Sequence, residues 1–467
     1  MEKRLIVVLC CLFIAVGIST AEESSSPSLH DLQTKITEYK RTFTPYGDIR
    51  LRHTYGDEWF LNDKVQEGNW NFARYRVRVG EKIELDENMM FDVRLTWEFR
   101  SWDDPTGPGK ASHMDGDEAI FDIMNLTVKN LFDAPITGKF GRQDMFMNKW
   151  LIIDGTPFDG SRTCYFDAAK LTFDFDDSAT KVDLVYIDQA AATEDRLRPI
   201  GNENGYVTEQ DETAVILYLT NKSIADTTLE GYFIYKNDNP IDDSPADTLS
   251  KALPPTWSKK AEIFTFGGAV SGHIDANWSY RVEGAIQTGD KDENNDGNTS
   301  SMRAYGSNNS LAYNFNDDKK SQLRLEYEFL SGDNDKTDGE VHGFDPLWGE
   351  YPRFSELYAY TYAFESSIGE LTNLHRVGCF YDLSPMENVK LQNGYNLMWA
   401  DETNSVAGRT DGGGNFRGQL FTARLMYQMT KNLSARVDAE YFIPGDFYND
   451  NRQEEATFLR GQIMYSF

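Results

Sequence analysis

Segments in which apolar and charged residues alternate at every second position constrain the fold of this chain most strongly. In residues 72–79, FARYRVRV, Arg74, Arg76 and Arg78 alternate with alanine, tyrosine and valine. Successive side chains of a β-strand point to opposite faces, so this segment has one apolar face and one face of fixed positive charge. Similar segments recur from Tyr46 to the C terminus. The sequence therefore predicts an all-β fold of long, two-faced strands.

The polar face of these segments carries full charges in strand after strand. In residues 89–102, Arg94, Glu98 and Arg100 share the face opposite the apolar residues, and residues 433–442 repeat the pattern. In a soluble β-sandwich, a second sheet covers the apolar face. In an outer-membrane barrel, that face meets lipid, where an arginine costs about 2–4 kcal/mol at the midplane. The charged face and the segment length of roughly ten or more residues favour the barrel, with a soluble secreted sheet as the alternative.

Polar stretches rich in glycine, asparagine and aspartate separate the segments. Short stretches occur together with long acidic ones such as 191–211 and 238–260, as in the turns and loops of outer-membrane barrels. The segments amount to about eighteen strands. The chain ends in an alternating segment whose last residue, Phe467, is aromatic. This ending resembles the C-terminal strand by which outer-membrane barrels are recognised for assembly, so we expect a transmembrane antiparallel β-barrel in the bacterial outer membrane, in contact with its lipid.

The N terminus has the features of a secretory signal peptide. A basic pair precedes the apolar stretch 5–16, and a small-residue cleavage site ends at Ala21. An N-terminal membrane anchor is the alternative, for which this apolar stretch is short. Apolar residues recur at helical spacing in residues 29–43, which predicts a short N-terminal helix. The predicted organisation is a signal peptide at 1–21, a periplasmic segment at 22–45 and the barrel at 46–467.

Composition and motifs exclude several classes of function. The formal net charge of −29 argues against nucleic acid as a partner. Aromatic residues make up 13% of the chain, which is too many for a disordered acidic protein. Beyond the signal only Cys164 and Cys379 remain, so a disulfide framework is not expected. The histidines lie in no metal-binding pattern and GxSxG and HExxH motifs are absent from the sequence, so we predict neither an enzyme nor a cofactor.

The inward-facing arginines are the candidate binding residues. A guanidinium group stays charged and its planar fork matches carboxylate or phosphate, so water-hydrated arginines along the lumen would select anions. The alternative is a structural ladder in which they pair with carboxylates such as Glu98 and Glu283 across strands. The alternation leaves both roles open. The pore-lining residues predicted in this way are Arg74, Arg76, Arg78, Arg94, Arg100, Arg281, Arg324, Arg424 and Arg436.

One acidic stretch has the spacing of calcium ligands. Residues 289–298, GDKDENNDGN, place Asp290, Asp292, Asn294 and Asp296 at alternate positions. Oxygen ligands at this spacing hold calcium in loops, although the glutamate that completes an EF-hand loop is missing here. The sequence predicts either a loop-bound Ca²⁺ or a solvated loop tip.

Two longer stretches resemble the alginate-export family of outer-membrane porins. In residues 139–188, Gly-Arg-Gln at 141–143 is followed by Phe-Asp-Gly-Ser-Arg at 158–162. In residues 323–348, a strand leads into Ser-Gly-Asp and later Phe-Asp-Pro-Leu-Trp. These are similar to two motifs of that family. The strand pattern is similar over most of the mature chain, and the motifs are similar in these two stretches. The loops differ, because they are more acidic than is usual in the family.

The resemblance implies an eighteen-stranded, monomeric barrel whose electropositive constriction passes an anionic uronate polymer. Arg142 and Arg162 match the arginines of the two motif elements and Asp159 matches the acid between them, which would place them at or near the constriction. A structural loop locked by Arg–Asp pairs is the alternative. The resemblance leaves open a periplasmic export partner that threads the polymer.

We therefore expect a passive channel for anionic saccharides or other acidic solutes. The alternative from another class is a surface binding or adhesion protein that acts through its acidic loops and is anchored by a plugged barrel. In both cases the protein belongs in the outer-membrane fraction, and its gel migration changes on heating because the closed barrel resists detergent. A soluble secreted sheet protein would instead leave the membrane on washing and migrate identically before and after heating.

Overall fold

A computed structural model gives the structure of the protein. It describes residues 41–467 except for 60, 62–69, 103–113, 116–118, 148–149, 154–164, 192–196, 198, 202–209, 241–259, 293–296, 350–352, 360, 362–370 and 404–409. The predicted signal peptide and most of the predicted N-terminal helix lie outside these residues, as do Asp159, Arg162, Asn294 and Asp296.

The described residues form a closed barrel of eighteen antiparallel strands, as the sequence predicted. Each strand pairs with its neighbours in the chain, and the last strand pairs with the first. In chain order the barrel strands are β1 (Thr42–Asp57), β2 (Trp70–Glu84), β3 (Met89–Trp102), β4 (Ala119–Val128), β5 (Ile136–Gln143), β6 (Phe166–Phe175), β7 (Thr180–Gln189), β8 (Asp211–Asn221), β9 (Thr227–Asn239), β10 (Ala261–His273), β11 (Trp278–Lys291), β12 (Ser300–Asn314), β13 (Gln322–Leu330), β14 (Leu374–Met386), β15 (Val389–Trp399), β16 (Phe416–Gln428), β17 (Leu433–Pro444) and β18 (Ala456–Ser466).

Helices and short strand pairs occur between the barrel strands. Two 3₁₀ turns lie at Leu131–Asp133 and Asp176–Ser178, and a short α-helix lies at 357–359. Phe146–Met147 pairs with Ile152–Ile153, whereas Met114–Asp115 joins β3 and Glu340–Val341 joins β12. Among the residues that the structure describes, no helix is long and apolar enough to span a membrane.

Closure of the barrel joins the two ends of the chain. β18 runs antiparallel to β1, from Asp48 opposite Ser466 to Asp57 opposite Thr457. Beyond the strand, the backbone N–H of Phe467 donates to the carbonyl of Gly47 at 3.1 Å and the reverse bond has the same length. The terminal aromatic residue singled out in the sequence is therefore part of the seam. No unpaired edge remains along this stretch, as a membrane-spanning sheet requires.

The two faces of the sheet differ as the alternation predicted. Outward-facing side chains such as Leu51, Val79 and Leu459 are exposed and apolar, whereas the arginines that alternate with them are buried. Aromatic neighbours pack across strands on the outer face, for example Tyr75 on Phe99 with ring centroids 4.9 Å apart. This face is the surface that lipid covers.

Connections of two lengths alternate around the barrel and make its ends different. At one end, the turn end, strands are joined by short connections such as 85–88 and 387–388, and β1 begins and β18 ends there. At the other end, the loop end, connections such as 240–260 and 331–373 are much longer. Part of the 331–373 connection folds into the lumen.

The boundary predicted between the N-terminal segment and the barrel was wrong by several residues. β1 begins at Thr42, so Thr42 and Phe43 are strand residues rather than the end of a helix through residue 43, and the barrel begins before residue 46. Thr42 pairs with Glu84 of β2, and Phe43 points outward and is 60% exposed. The apolar residues at helical spacing end at Tyr39. From Thr42 onward, pairing with β2 makes the chain a strand.

Gly141, the glycine of the Gly-Arg-Gln motif, has a conformation that other residues rarely adopt. Its φ is +113°, and an added Cβ would lie 2.3 Å from the carbonyl oxygen of Met124 on β4. We expect Gly141→Ala to destabilise the barrel by about 1–3 kcal/mol because it combines left-handed strain with a backbone clash. A lower urea midpoint by tryptophan fluorescence measures the loss. Gly461→Ala is the matched control because its added Cβ would meet no atom within 4 Å. Equal urea midpoints for the two variants would contradict the special role of the Gly141 conformation.

Candidate functional site: the charged lumen

An arginine wall lines one side of the lumen, where the first and last strands meet. We use this name for the six inward-facing arginines of β18, β1 and β2: Arg50, Arg52, Arg74, Arg76, Arg78 and Arg460. All six are buried, with exposed fractions between 1% and 9%. The period-two alternation places them in rows, and β-sheet register aligns the rows, since Arg50 lies opposite Arg76 and Arg52 opposite Arg74.

Two strand carboxylates each hold two arginines of this wall. Asp48 accepts from Arg76 at 3.0 Å and from Arg78 on its second oxygen. Glu98 of β3 does the same for Arg50, at 2.8 Å, and for Arg74. The arginines therefore face inward as predicted, but they are buried in ion pairs rather than individually hydrated. Pairing offsets the desolvation cost, which for an isolated buried charge is several kcal/mol.

Arg52 and Arg460 tie the seam together. Arg52 of β1 donates to the side-chain oxygen of Gln462 on β18, from Nε at 3.1 Å and from Nη2 at 2.9 Å. Arg460 donates in the opposite direction, from Nε to the hydroxyl of Thr54 on β1 at 3.1 Å. These side-chain bonds cross the seam in both directions and add to the backbone pairing of β1 with β18.

The adjacent strands continue the pairing. Arg94 of β3 contacts Asp122 at 2.7 Å and Asp144 at 3.5 Å. Arg142 makes a bidentate pair with Asp167 at 2.8 Å for each bond. It also donates to the carbonyl of Phe121 at 3.0 Å and covers the ring of Tyr165 at 3.9 Å. Arg142, 2% exposed, therefore holds β4, β5 and the start of β6 together.

The other candidate arginines lie in more open surroundings. Arg100 is half-buried beside the ring of Trp102. Arg281, Arg324, Arg424 and Arg436 lie near the turn end, with side chains 16–32% exposed. Each pairs with a carboxylate. The partners are Glu230 and Glu283 for Arg281, Glu326 for Arg324, and Asp438 for both Arg424 and Arg436.

The β13–β14 connection enters the lumen and narrows it. We call residues 344–349 and 353–358 of this connection the inward segment. Phe344 stacks on Trp150 with ring centroids 5.4 Å apart, and Trp348 packs edge-on against Phe166 at the same distance. Trp150 belongs to the β5–β6 connection, so two long connections meet inside the barrel.

Polar contacts fix the first part of the inward segment to β11. The backbone of Asp345 exchanges two hydrogen bonds with the side chain of Gln287, at 2.8 and 2.7 Å, and its carboxylate meets Lys291 at 2.7 Å. Burial raises the pKa of Asp345, but the charges of Lys291 and Lys236 outweigh burial and hold that pKa below its usual range. This end is therefore anchored by an ionised carboxylate at neutral pH.

The second part is fixed to β17, at another place on the barrel wall. Glu440 accepts hydrogen bonds from the backbone N–H groups of Glu356 and Leu357, each at 3.1 Å, and from the hydroxyl of Ser355. The short helix at 357–359 begins here, and a carboxylate at a helix N terminus satisfies N–H groups that lack partners within the helix. The inward segment thus spans the lumen between β11 and β17.

Arg353 on the inward segment is a lumen cation that the strand alternation does not reveal. It donates to the backbone carbonyl of Trp150, and its Nη1 has no hydrogen-bond partner among the described residues. Burial lowers the pKa of Arg353 to about 9, so the guanidinium stays charged at neutral pH. In the sequence, the only indication that Arg353 has a role in the lumen is its position five residues after the motif that ends at Trp348.

The predicted calcium site stays a prediction. Asp290 is the penultimate residue of β11, and a carboxylate oxygen of Asp292 accepts a hydrogen bond from the N–H of Gly297 at 2.7 Å. Within the described part of the chain, no cluster of three or more His, Cys, Asp or Glu side chains has the arrangement of a metal site.

A closed barrel with an apolar outer face, a charged interior and inward-folded connections defines an outer-membrane porin. Solved structures of such porins are similar in fold. Acinetobacter baumannii OccAB2 has a TM-score of 0.55 at 11% identity, covering 91% of this chain and 98% of that chain. Pseudomonas aeruginosa OccK2 (OpdF) in complex with glucuronate has a TM-score of 0.53 at 10% identity with the same coverage. A search of curated proteins found no match.

The chain belongs to the alginate export family, whose model matches residues 40–462. The resemblance drawn from the two motifs is thereby confirmed. Family and fold are those of bacterial outer-membrane channels and not of enzymes. In such barrels the short turns face the periplasm and the long loops face outward, so the turn end is the periplasmic end.

The pairing of Asp48 with Arg76 and Arg78 allows a test of whether the arginine wall stabilises the barrel. Replacing both Arg76 and Arg78 with serine leaves the buried Asp48 carboxylate without these two cations, and breaking such a pair costs about 3–5 kcal/mol. We expect a lower urea midpoint for the double variant and recovery of most of the loss when Asp48→Asn is added. Lys431→Ser, in an exposed turn, is the control for loss of one positive charge. Unchanged stability of the double variant would mean that these pairs contribute nothing.

Proposed function

We propose that the protein is a passive outer-membrane channel for anionic solutes, and for saccharides bearing carboxylate groups in particular. The observation that carries the proposal is the arginine wall. Six arginines face the lumen from three adjacent strands, whereas Asp48 is the carboxylate that those strands place among them. A local excess of positive charge in a chain of net charge −29 needs a reason, and attraction of anions supplies one.

The chemistry of the wall favours carboxylates. Guanidinium groups bind planar two-oxygen anions through paired N–H donors, and Asp48 and Glu98 show that these arginines already bind carboxylates in this lumen. Two further facts support a uronate-type solute. The matching family is described by alginate export, and the similar porin OccK2 was solved in complex with glucuronate. Other small acidic solutes share the same group.

A plugged barrel that anchors a surface binding protein is the second candidate. The aromatic packing of the inward segment on Trp150 and Phe166 fills part of the loop end and favours this alternative. A plugged barrel would show no conductance. The lumen near the turn end, however, keeps partly exposed charged side chains such as Arg324 and Arg424, which suit a water-filled vestibule.

The reversal potential of the purified protein in a planar bilayer under a salt gradient tests the channel. We expect preference for the anion, and a smaller preference in Arg52→Gln because that change removes one charge of the wall while a hydrogen bond to Gln462 remains available. Lys431→Gln removes one exposed positive charge at a turn and should leave the potential unchanged. Cation preference would contradict the proposed function, and absence of conductance would favour the plugged anchor.

A further inference from the structure

An acidic side chain of the inward segment lies against the arginine wall. Glu356 Oε2 is 2.8 Å from Arg460 Nη1 on β18, and Glu356 Oε1 is 3.8 Å from Arg436 Nη2 on β17. Burial raises the pKa of the Glu356 carboxyl, but the charges of Arg460, Arg52 and Arg436 outweigh burial and hold that pKa below its usual range. Glu356 is therefore an anion at neutral pH.

This carboxylate differs from the others that contact the wall. Asp48 and Glu98 belong to barrel strands, so the sheet itself fixes them beside the arginines they bind. Glu356 belongs to the β13–β14 connection, and the hydrogen bond from its backbone N–H to Glu440 on β17 brings it to the wall. Its side chain is 17% exposed, whereas that of Arg460 is 1% exposed, so solvent approaches the pair from the side of Glu356.

Glu356 contacts its two arginines unequally, and its 2.8 Å contact with Arg460 is as short as that of Glu98 with Arg50. At 3.8 Å the contact with Arg436 is too long for a hydrogen bond. Arg436 already pairs with Asp438 at 2.6 Å on its own strand. A carboxylate that reaches the wall without the constraint of the inward segment can take the bidentate geometry that a guanidinium prefers.

We propose that Glu356 is an internal competitor of the transported solute. Its carboxylate occupies the site beside Arg460 and Arg52 at which the carboxylate of a solute binds, and the arriving solute displaces it. This inference rests on the proposed function and names the regulation of the same site. In the empty channel the buried arginines are neutralised by a group of the protein, and in the loaded channel the solute takes over that role.

Displacement has a defined thermodynamic cost for the solute. The inward segment holds the Glu356 carboxylate beside Arg460, so a solute carboxylate displaces it only at a concentration at which its own binding outweighs this contact. The apparent affinity of the wall is lowered by the fraction of time that Glu356 occupies it. Such competition prevents the solute from being held too tightly, since conduction requires that binding be weak enough for release.

Block of ion current by a uronic acid oligomer tests the inference. The probe is titrated on the purified wild-type channel and on Glu356→Gln, and a neutral glucose oligomer of the same length is the reference solute. We expect the half-blocking concentration of the uronate to fall on the order of tenfold in Glu356→Gln, because the competitor loses its charge. The half-blocking concentration of the neutral oligomer should stay the same.

Two further variants separate competition from changes in general charge or folding. Glu340→Gln removes one negative charge from an exposed position of the same connection, so it should leave the half-blocking concentration unchanged. Glu356→Asp keeps the charge but shortens its reach, so we expect a value between those of wild type and Glu356→Gln. Heat-modifiable gel migration shows that each barrel is closed.

Each outcome separates the inference from the function on which it rests. An unchanged half-blocking concentration in Glu356→Gln, with anion preference intact, overturns the competitor and leaves the anion channel standing. Equal shifts in Glu340→Gln and Glu356→Gln also overturn it, because loss of any nearby negative charge would then suffice. A wild-type channel that prefers cations overturns the proposed function and the inference together.

Discussion

The low polarity of lipid around the sheet is the constraint on which the rest of this structure depends. Backbone groups in lipid must find partners within the protein, so the sheet has to close on itself. Charged side chains on the parts of these strands that lipid surrounds must then turn inward. Once inside, they crowd at the spacing of a β-sheet, and like charges in neighbouring rows require carboxylates between them. Asp48 and Glu98, each shared by two arginines, are the direct result.

The strand alternation was sufficient to predict the barrel, its number of strands and the inward direction of Arg74, Arg76 and Arg78. It offered Glu98 and Glu283 as candidate partners but did not reveal Asp167 as the partner of Arg142, because the register of β5 against β6 brings these two residues together. The sequence left hydrated and paired arginines both open for the wall, since the depth of burial depends on what fills the barrel. That filling comes from connections that carry no periodic signal.

The inward segment shows why loops limit prediction from a sequence of this kind. The family motif ending at Trp348 marked the stretch as special, but nothing in it shows that Asp345 would reach Lys291 on one wall while Ser355 and Leu357 reach Glu440 on another. Each of these contacts joins residues more than fifty positions apart. Arg353 and Glu356, both on this segment, were missed for the same reason.

The position of the arginine wall at the seam has a consequence for the timing of biogenesis. Arg50 and Arg52 lie on the first strand, whereas Arg460 lies on the last, more than four hundred residues later. Their shared surface does not exist in any partly assembled sheet. A nascent barrel held open in the membrane, or a chain that lacks its final strand, can present an apolar exterior and still have no complete arginine wall. The complete arginine wall therefore appears together with the last strand pairing, and the cell obtains it only in barrels whose assembly is finished.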